Sequence, residues 1–106
     1  MSSPPFTTDF SNVQRIHFIG IGGTVMSGLA ELMHYWGKQV TGSEISANAH
    51  TARLVRLGIP CMVGSAAMGI SPHAECAVVS PRIPKNYPEL VRAKQWDVPI
   101  VTVAHM

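Results

Sequence analysis

The feature that most constrains the fold is the glycine cluster Gly20-Ile21-Gly22-Gly23, which stands between an apolar run and an amphipathic segment. Residues 15–19 predict a short buried strand that the glycines end. From residue 24 to about residue 36, apolar side chains recur at three- and four-residue spacing, which predicts a helix with Gly37 at its end. The predicted inward positions of this helix are Val25, Met26, Leu29, Leu32, Met33 and Trp36.

The rest of the chain continues this alternation of strand and helix. Further strands are predicted at residues 38–41, 59–63, 76–80 and 99–103. Mostly apolar strands separated mainly by helices indicate a parallel sheet that is covered on both faces. With right-handed crossovers, we predict an α/β fold: a Rossmann-like, doubly wound sheet of five strands in the order 3-2-1-4-5, in a single domain.

Two more helices are predicted, at residues 48–57 and from 86 to about 96. Leu54, Val55 and Leu57 are the predicted inward positions of the first of these. Asn86 and Glu89 resemble a capping box at the start of the other, with a proline in its first turn. Residues 64–75 are rich in Gly, Ser and Ala and predict a loop with at most one helical turn.

Length and composition exclude several classes of protein. The 106 residues, 46% of them hydrophobic, suffice for one domain at 14–106, preceded by a flexible tail at 1–13. The eight Lys and Arg are scattered, so no nucleic-acid partner is expected. Four glycines and several polar residues in the stretch 16–36 argue against a membrane span. The tail lacks signal-peptide features, and Cys61 and Cys76 are expected to be reduced core thiols, which indicates the cytoplasm.

The glycine turn predicts a site for paired phosphates. Glycines let main-chain N–H groups approach a diphosphate closely, and the helix N-terminus adds partial positive charge. We expect the amides of residues 20–24 to be unpaired and to form this cradle. Glu44 lies 24 positions after Gly20, where dinucleotide sites place a ribose-binding carboxylate. Val25 stands where a third glycine would complete the motif, and its branched Cβ is expected to crowd the phosphate.

These residues alone leave other functions open. A regulatory domain that binds an NAD-type dinucleotide would share the fold and Glu44, and a non-binding scaffold could carry a degenerate glycine motif. The five histidines show no metal-ligand spacing, so no metal site is expected. Ser43 and Ser80 lack a G-x-S-x-G elbow, and no carboxylate pair indicates acid-base chemistry, so no catalytic residue is assigned.

Three segments resemble a known family: IHFIGIGGTVMSGLAELM at 16–33, VTGSEISAN at 40–48 and VVSPRIPKNYPELVRA at 78–93. In order and spacing they are similar to the N-terminal domain of the muramyl ligases, in particular the branch that adds L-alanine to UDP-N-acetylmuramate in peptidoglycan synthesis. The resemblance runs from Arg15 nearly to the end of the chain. It does not separate this branch from the tripeptide-adding relative that uses the same sugar nucleotide.

The resemblance implies a domain that binds UDP-N-acetylmuramate, with the glycine turn facing the diphosphate and residues 43 and 44 on the uridine side. Ser80, at the carboxyl edge of the predicted sheet, is a further expected contact. The candidate substrate-binding residues are Gly20, Ile21, Gly22, Gly23, Thr24, Val25, Met26, Ser43, Glu44 and Ser80. Asn86 and Glu89 are expected to act as helix caps and not as ligand groups.

The family joins its substrates with ATP and magnesium through an acyl phosphate, in machinery that belongs to a separate central domain. These 106 residues contain no G-x-x-x-x-G-K-[ST], so we expect neither ligation nor a cofactor from them alone. The expected partners are UDP-N-acetylmuramate and, if the chain is truncated, the ATPase domain of the same polypeptide, with a homodimer left open. The sequence departs from the family pattern at Val25 for Gly, Glu44 for Asp, Ser65 for His and Val103 for Arg.

Overall fold

The computed structural model describes residues 11–64 and 69–103 of the chain. Along them lie β1 (Arg15–Ile19), α1 (Thr24–Tyr35), β2 (Gln39–Glu44), α2 (Ala49–Arg56), β3 (Cys61–Val63), β4 (Cys76–Val79), α3 (Pro88–Gln95) and β5 (Ile100–Thr102). The strands pair in parallel in the order β3-β2-β1-β4-β5. The predicted fold class and strand order are therefore confirmed.

The two faces of the sheet bury different side chains, because neighbouring residues of a strand point to opposite faces. Ile16 and Phe18 of β1 join the larger apolar cluster, which includes side chains of α1 and α2. Ile19 joins a smaller cluster, with Ala77 and Val79 of β4 and Leu90 of α3. The second face also buries a polar group, described below.

Two prolines and one extended pairing set the strand ends. The second strand continues to Glu44, beyond the predicted end at 41, because Gly42 and Ser43 pair with both neighbouring strands. The third strand begins at Cys61 and not at 59, because Pro60 has no N–H to donate; its carbonyl accepts a hydrogen bond from the Gly42 amide at 2.9 Å. In the same way, the fifth strand begins only after Pro99.

Some predicted inward positions were wrong. In α2, Leu54 is fully buried, whereas Val55 and Leu57 are exposed. Val55 lies about 100° around the helix from Leu54, and Leu57 is the C-cap residue beyond the last turn. In α1, Met26 is buried but Val25, one position earlier, is 54% exposed.

The caps also differ from the predictions. Asn48 is the N-cap of α2: its side chain accepts from the Thr51 amide, and the Thr51 hydroxyl accepts from the Asn48 amide, both at 2.9 Å. Tyr87 is the N-cap of α3 without a side-chain cap bond, so the predicted cap residues Asn86 and Glu89 were wrong. Glu89 cannot fold back on the helix start, because its carboxylate is bound in the core.

Several predictions fall partly on the undescribed residues. The tail at 1–13 stays a prediction, since residues 1–10 lie outside the described ranges; Val13 packs against the larger cluster. Ser65 also lies outside them. The described part of the predicted loop, 64 and 69–75, contains neither helix nor strand. None of the helices in the described ranges combines the length and the apolarity needed to cross a membrane.

Candidate functional site

The glycine turn, residues 20–23, lies at the carboxyl edge of the sheet between β1 and α1. The chain runs from β1 to β2 on one side, and β4 lies on the other side of β1. Open α/β sheets bind ligands where the strand order reverses in this way. A Cβ built on Gly20 would lie 3.0 Å from the Cβ of Ser80, just after β4. The structure thus brings the predicted site residues Gly20 and Ser80 together.

Main-chain amides of the glycine turn are already hydrogen-bonded. The Gly20 and Ile21 amides both donate to the Ser43 carbonyl at 3.0 Å, and the Gly23 amide donates to the Gly20 carbonyl at 3.4 Å. The Gly22 amide donates to Glu44 Oε1 at 2.7 Å. The expectation of unpaired amides was therefore wrong for residues 20–23: β2 extends far enough to place acceptors beside the first three amides, and the Gly23 amide bonds within the turn. We call residues 20–23 the closed segment.

The next three amides form an open segment, residues 24–26, in the first turn of α1. No hydrogen bond within the described ranges uses the amides of Thr24, Val25 and Met26. The first N–H groups of a helix have no intrahelical acceptor, and the helix dipole adds positive potential there. Thr24 and Val25 are exposed, whereas the Met26 side chain is buried, so Met26 can offer only its amide.

Two of the three glycines are required by their surroundings. Gly20 has φ of 84°, a conformation that L side chains rarely adopt. At Gly22, a Cβ would lie 2.7 Å from Glu44 Oε1 and 2.9 Å from Asn48 Nδ2. At Gly23, the nearest atom to a Cβ would be at an ordinary 3.7 Å, and φ is −69°.

Glu44 and Asn48 hold Gly22 from both sides. Glu44 Oε1 accepts from the Gly22 amide, while Glu44 Oε2 accepts from the Ile45 amide at 3.0 Å. Asn48 Nδ2 donates to the Gly22 carbonyl at 3.1 Å. The Glu44 carboxylate thus occupies the Gly22 amide, which was expected to bind a phosphate of the ligand. Sequence reasoning missed Asn48, although Thr51 three positions later matches the spacing of a capping box.

A buried polar network lies on the α3 face of the sheet, beneath the turn. His17 Nε2 lies 2.6 Å from Glu89 Oε2, and its Nδ1 lies 2.7 Å from Thr41 Oγ1. The Ser43 hydroxyl donates to Glu89 Oε1. His17 and Ser43 are 1% exposed and Glu89 is fully buried. Sequence reasoning expected a packed or hydrogen-bonded His17, which is confirmed, but it missed the network, since His17, Ser43 and Glu89 lie far apart in the chain.

This network does not have the arrangement of a nucleophilic triad. There, the imidazole bonds to the serine hydroxyl and the carboxylate orients the imidazole. Here the Glu89 carboxylate lies between Ser43 and His17, so the Ser43 hydroxyl bonds to the carboxylate and not to the imidazole.

Three ionisable groups have shifted pKa values because of burial. Burial raises the pKa of Tyr87, and the carboxylates of Glu89 and Glu44 raise it further, so the phenol stays neutral near pH 7. Tyr87 packs against the smaller apolar cluster, and nothing in the sequence singled it out. Burial raises the pKa of the Cys76 thiol to about 11 and also raises that of Cys61. Both cysteines are free thiols; Cys76 is buried, whereas Cys61 is only half-buried.

The described residues do not fit an ATP–magnesium site. They contain no group of three His, Cys, Asp or Glu side chains that could hold a metal ion. The chain's Gly37-Lys38 pair follows the end of α1, whereas a phosphate-binding lysine of this kind lies at a helix start.

Comparisons with known proteins agree with this geometry. The family described as Mur ligase family, catalytic domain, matches residues 15–106. UDP-N-acetylmuramate--L-alanine ligases from Brucella anthropi and Aromatoleum aromaticum are 48% and 45% identical over 95 and 94 residues, which cover 90% and 89% of this chain. The chain spans only 20% of the length of each.

Solved structures show the same fold. A UDP-N-acetylmuramate-alanine ligase from Thermotoga maritima superposes with a TM-score of 0.77 at 35% identity, over 83% of this chain and 20% of that one. A UDP-N-acetylmuramate:L-alanyl-gamma-D-glutamyl-meso-diaminopimelate ligase from Neisseria meningitides superposes with a TM-score of 0.71 at 24% identity. The match covers 85% of this chain and 28% of that one, and it shows a likeness of fold alone. Because the family match covers nearly the whole chain, this protein belongs to the Mur ligase family.

Proposed function

We propose that this chain is the UDP-N-acetylmuramate-binding domain of an ATP-dependent ligase that adds L-alanine to that sugar nucleotide in peptidoglycan synthesis. The observation that carries the proposal is the open segment: three amides that no acceptor in residues 11–64 and 69–103 occupies, at a helix N-terminus and at the reversal point of a parallel sheet. The names of the relatives at 45–48% identity support the choice of ligand.

In this proposal the open segment binds the diphosphate. The amides of Thr24, Val25 and Met26 supply hydrogen-bond donors, and the positive end of α1 favours the negative charge. Ser80 adds a hydroxyl beside Gly20; its Oγ accepts from the Arg82 amide at 3.3 Å, and its O–H stays available to donate. The substrate thus meets a preformed set of donors.

The closed segment supports the site from within. Ser43 acts through its carbonyl, because its hydroxyl is buried on Glu89. Glu44 fixes Gly22 and borders the uridine side, as the family resemblance implies. Gly20, Ile21, Gly22 and Gly23 therefore shape the ligand pocket in this proposal, and their amides stay on the protein's own acceptors.

The ligation step lies outside these residues in the proposal. ATP and magnesium supply acyl-phosphate chemistry to the family enzyme, and the residues described here do not hold them. We therefore propose that the remainder of a longer polypeptide is the partner of this domain, since the matched residues make up only 20% of the relative from Aromatoleum aromaticum. A cytoplasmic location belongs to the same proposal, supported by two free thiols.

Calorimetric titration of the chain with UDP-N-acetylmuramate, and separately with NADH, tests the proposal. We expect heat and a dissociation constant for the sugar nucleotide only. Tighter binding of NADH would contradict the ligand assignment in favour of a dinucleotide-binding domain. Heat with neither ligand would mean a scaffold that has lost its ligand.

A proline at position 24 tests the open segment directly. Thr24 is the first helical residue, where proline is tolerated, and Gly23 before it has the extended conformation, φ −69° and ψ 158°, that precedes proline. Thr24→Pro removes one free N–H, so we expect about a tenfold loss of affinity for UDP-N-acetylmuramate. Thr24→Ala is the control, because it keeps the N–H and should bind as the parent does. Equal affinity of all three proteins would show that the ligand does not use this amide.

A further inference from the structure

We propose that Glu89 is a positioning residue for the ligand site: through Ser43 it fixes the glycine turn and hence the direction of the free amides. The inference rests on the proposed function and adds to it a residue of α3 whose carboxylate bonds to Ser43 and His17. It follows from the buried network, whose role the binding proposal leaves unexplained.

The network joins α3 to β1 and β2 through one carboxylate. Glu89 uses one oxygen for the Ser43 hydroxyl and the other for His17 Nε2. His17 is held in turn by the Thr41 hydroxyl through Nδ1. No buried side-chain nitrogen or oxygen in the described ranges lacks a hydrogen-bond partner. The orientation of the Glu89 carboxylate is therefore fixed at both oxygens.

Ser43 connects this network to the glycine turn. Its side chain points to Glu89, and its carbonyl accepts from the Gly20 and Ile21 amides at 3.0 Å each. A second contact holds the turn against β2: Ile21 packs so tightly on Gly42 that a Cβ on Gly42 would lie 2.7 Å from Ile21 Cβ. A small rotation of Ser43 would therefore move the start of α1, where the open segment lies.

Stability alone does not account for such a network. Burying ionisable groups costs solvation free energy, and apolar side chains of similar volume often stabilise a core at least as well. A fixed hydrogen-bond geometry, in contrast, is what a site needs to hold donors at a set distance from a phosphate. We therefore assign Glu89 a positioning role.

The test compares Glu89→Met, Glu89→Gln and the control Leu90→Ala in the whole chain. Met fills the space without hydrogen bonds, whereas Gln can accept from Ser43 and donate to His17. Leu90 is the next residue of α3 and packs in the same face of the core, so its truncation lowers stability without touching the network. The measurements are amide hydrogen exchange at Gly20 and Ile21 by NMR, relative to central sheet amides, and the affinity for UDP-N-acetylmuramate.

We expect Glu89→Met to speed exchange at both amides, and to weaken binding, by about tenfold relative to Leu90→Ala. Glu89→Gln should stay within about threefold of the parent in both measurements. The proposal is overturned if Glu89→Met matches Leu90→Ala, or if Glu89→Gln is as disruptive as Glu89→Met.

Two features keep the outcome decisive. If Glu89→Met does not fold, Ser43→Ala removes only the hydroxyl, and unchanged exchange at Gly20 and Ile21 in that variant refutes the positioning role. If the parent protein does not bind UDP-N-acetylmuramate, the proposed function fails, but amide exchange still decides whether Glu89 fixes the turn.

Discussion

The closed and open segments are adjacent in sequence and differ in what their amides do. In residues 20–23 the amides bond to acceptors of the protein itself, whereas those of residues 24–26 have no acceptor among the residues that the structure describes. The glycines lie in the first group, and the donors available to a ligand lie in the second. A glycine-rich turn can therefore act by shaping the chain, while the adjoining helix start provides the anion-binding groups.

A substitution at the contact between Gly42 and Ile21 is expected to destabilise the closed segment most. In Gly42→Ala the new Cβ would overlap the Ile21 side chain, including Ile21 Cβ at 2.7 Å. We expect a loss of about 3 kcal/mol in the free energy of unfolding, measured by urea denaturation. Gly28→Ala is the matched control. Gly28 is an exposed residue in the middle of α1, and a Cβ there would have no atom within 4 Å. We therefore expect the free energy of unfolding to rise by about 1 kcal/mol. An unchanged free energy of unfolding in Gly42→Ala would contradict the tight packing of Ile21 on Gly42.

Gly20 and Gly23, at the two ends of the closed segment, are expected to differ in how well they tolerate a side chain. Gly20→Ala forces an alanine to φ near 84° and brings its Cβ within 3.0 Å of Ser80 Cβ, so we expect about 2 kcal/mol of destabilisation. Gly23→Ala meets no close atom in an ordinary backbone conformation, and its stability should stay within about 0.5 kcal/mol of the parent. Thermal unfolding of the two variants side by side measures the contrast, and equal losses would contradict it.

Val25 tests the open segment with the smallest expected effect. Its side chain is 54% exposed and does not fill the turn, so we expect it to crowd the phosphate less than the sequence suggests. Val25→Gly should therefore change the affinity for UDP-N-acetylmuramate by less than about threefold, at a cost of about 0.5 kcal/mol in stability. A gain of tenfold or more by calorimetry would show that the branched side chain obstructs the ligand after all.

The fold could be predicted because its signals are local. Apolar runs of four to six residues, glycine stops and helical periodicity give the element order, and the handedness of crossovers then leaves few topologies. The errors at strand ends came from pairing: the extension of β2 to Glu44 depends on partners in β1 and β3. Such partners lie distant in sequence and leave no local sign.

Less of the candidate site could be predicted. Strand–glycine–helix order pointed to the turn, and the structure brings Gly20 and Ser80 together there. Which amides are already bonded depends instead on the Ser43 carbonyl and the Glu44 carboxylate. Glu89 shows the same limit. Its position near a helix start suggested a cap, whereas burial against His17 and Ser43 gives it a different environment. Long-range polar contacts of this kind have no periodicity to detect.

The pairing of Ile19 with Ser43 has a consequence for how the chain folds. Side chains alternate between the faces of a strand, so a one-residue slip of β2 along β1 would turn the Ser43 hydroxyl toward the apolar helices. Depending on the direction of the slip, the buried Glu89 carboxylate would then face Gly42 or Glu44 in place of Ser43. A one-residue slip would therefore cost the hydrogen bond between Ser43 and Glu89, so the buried polar network favours the correct register of β1 and β2.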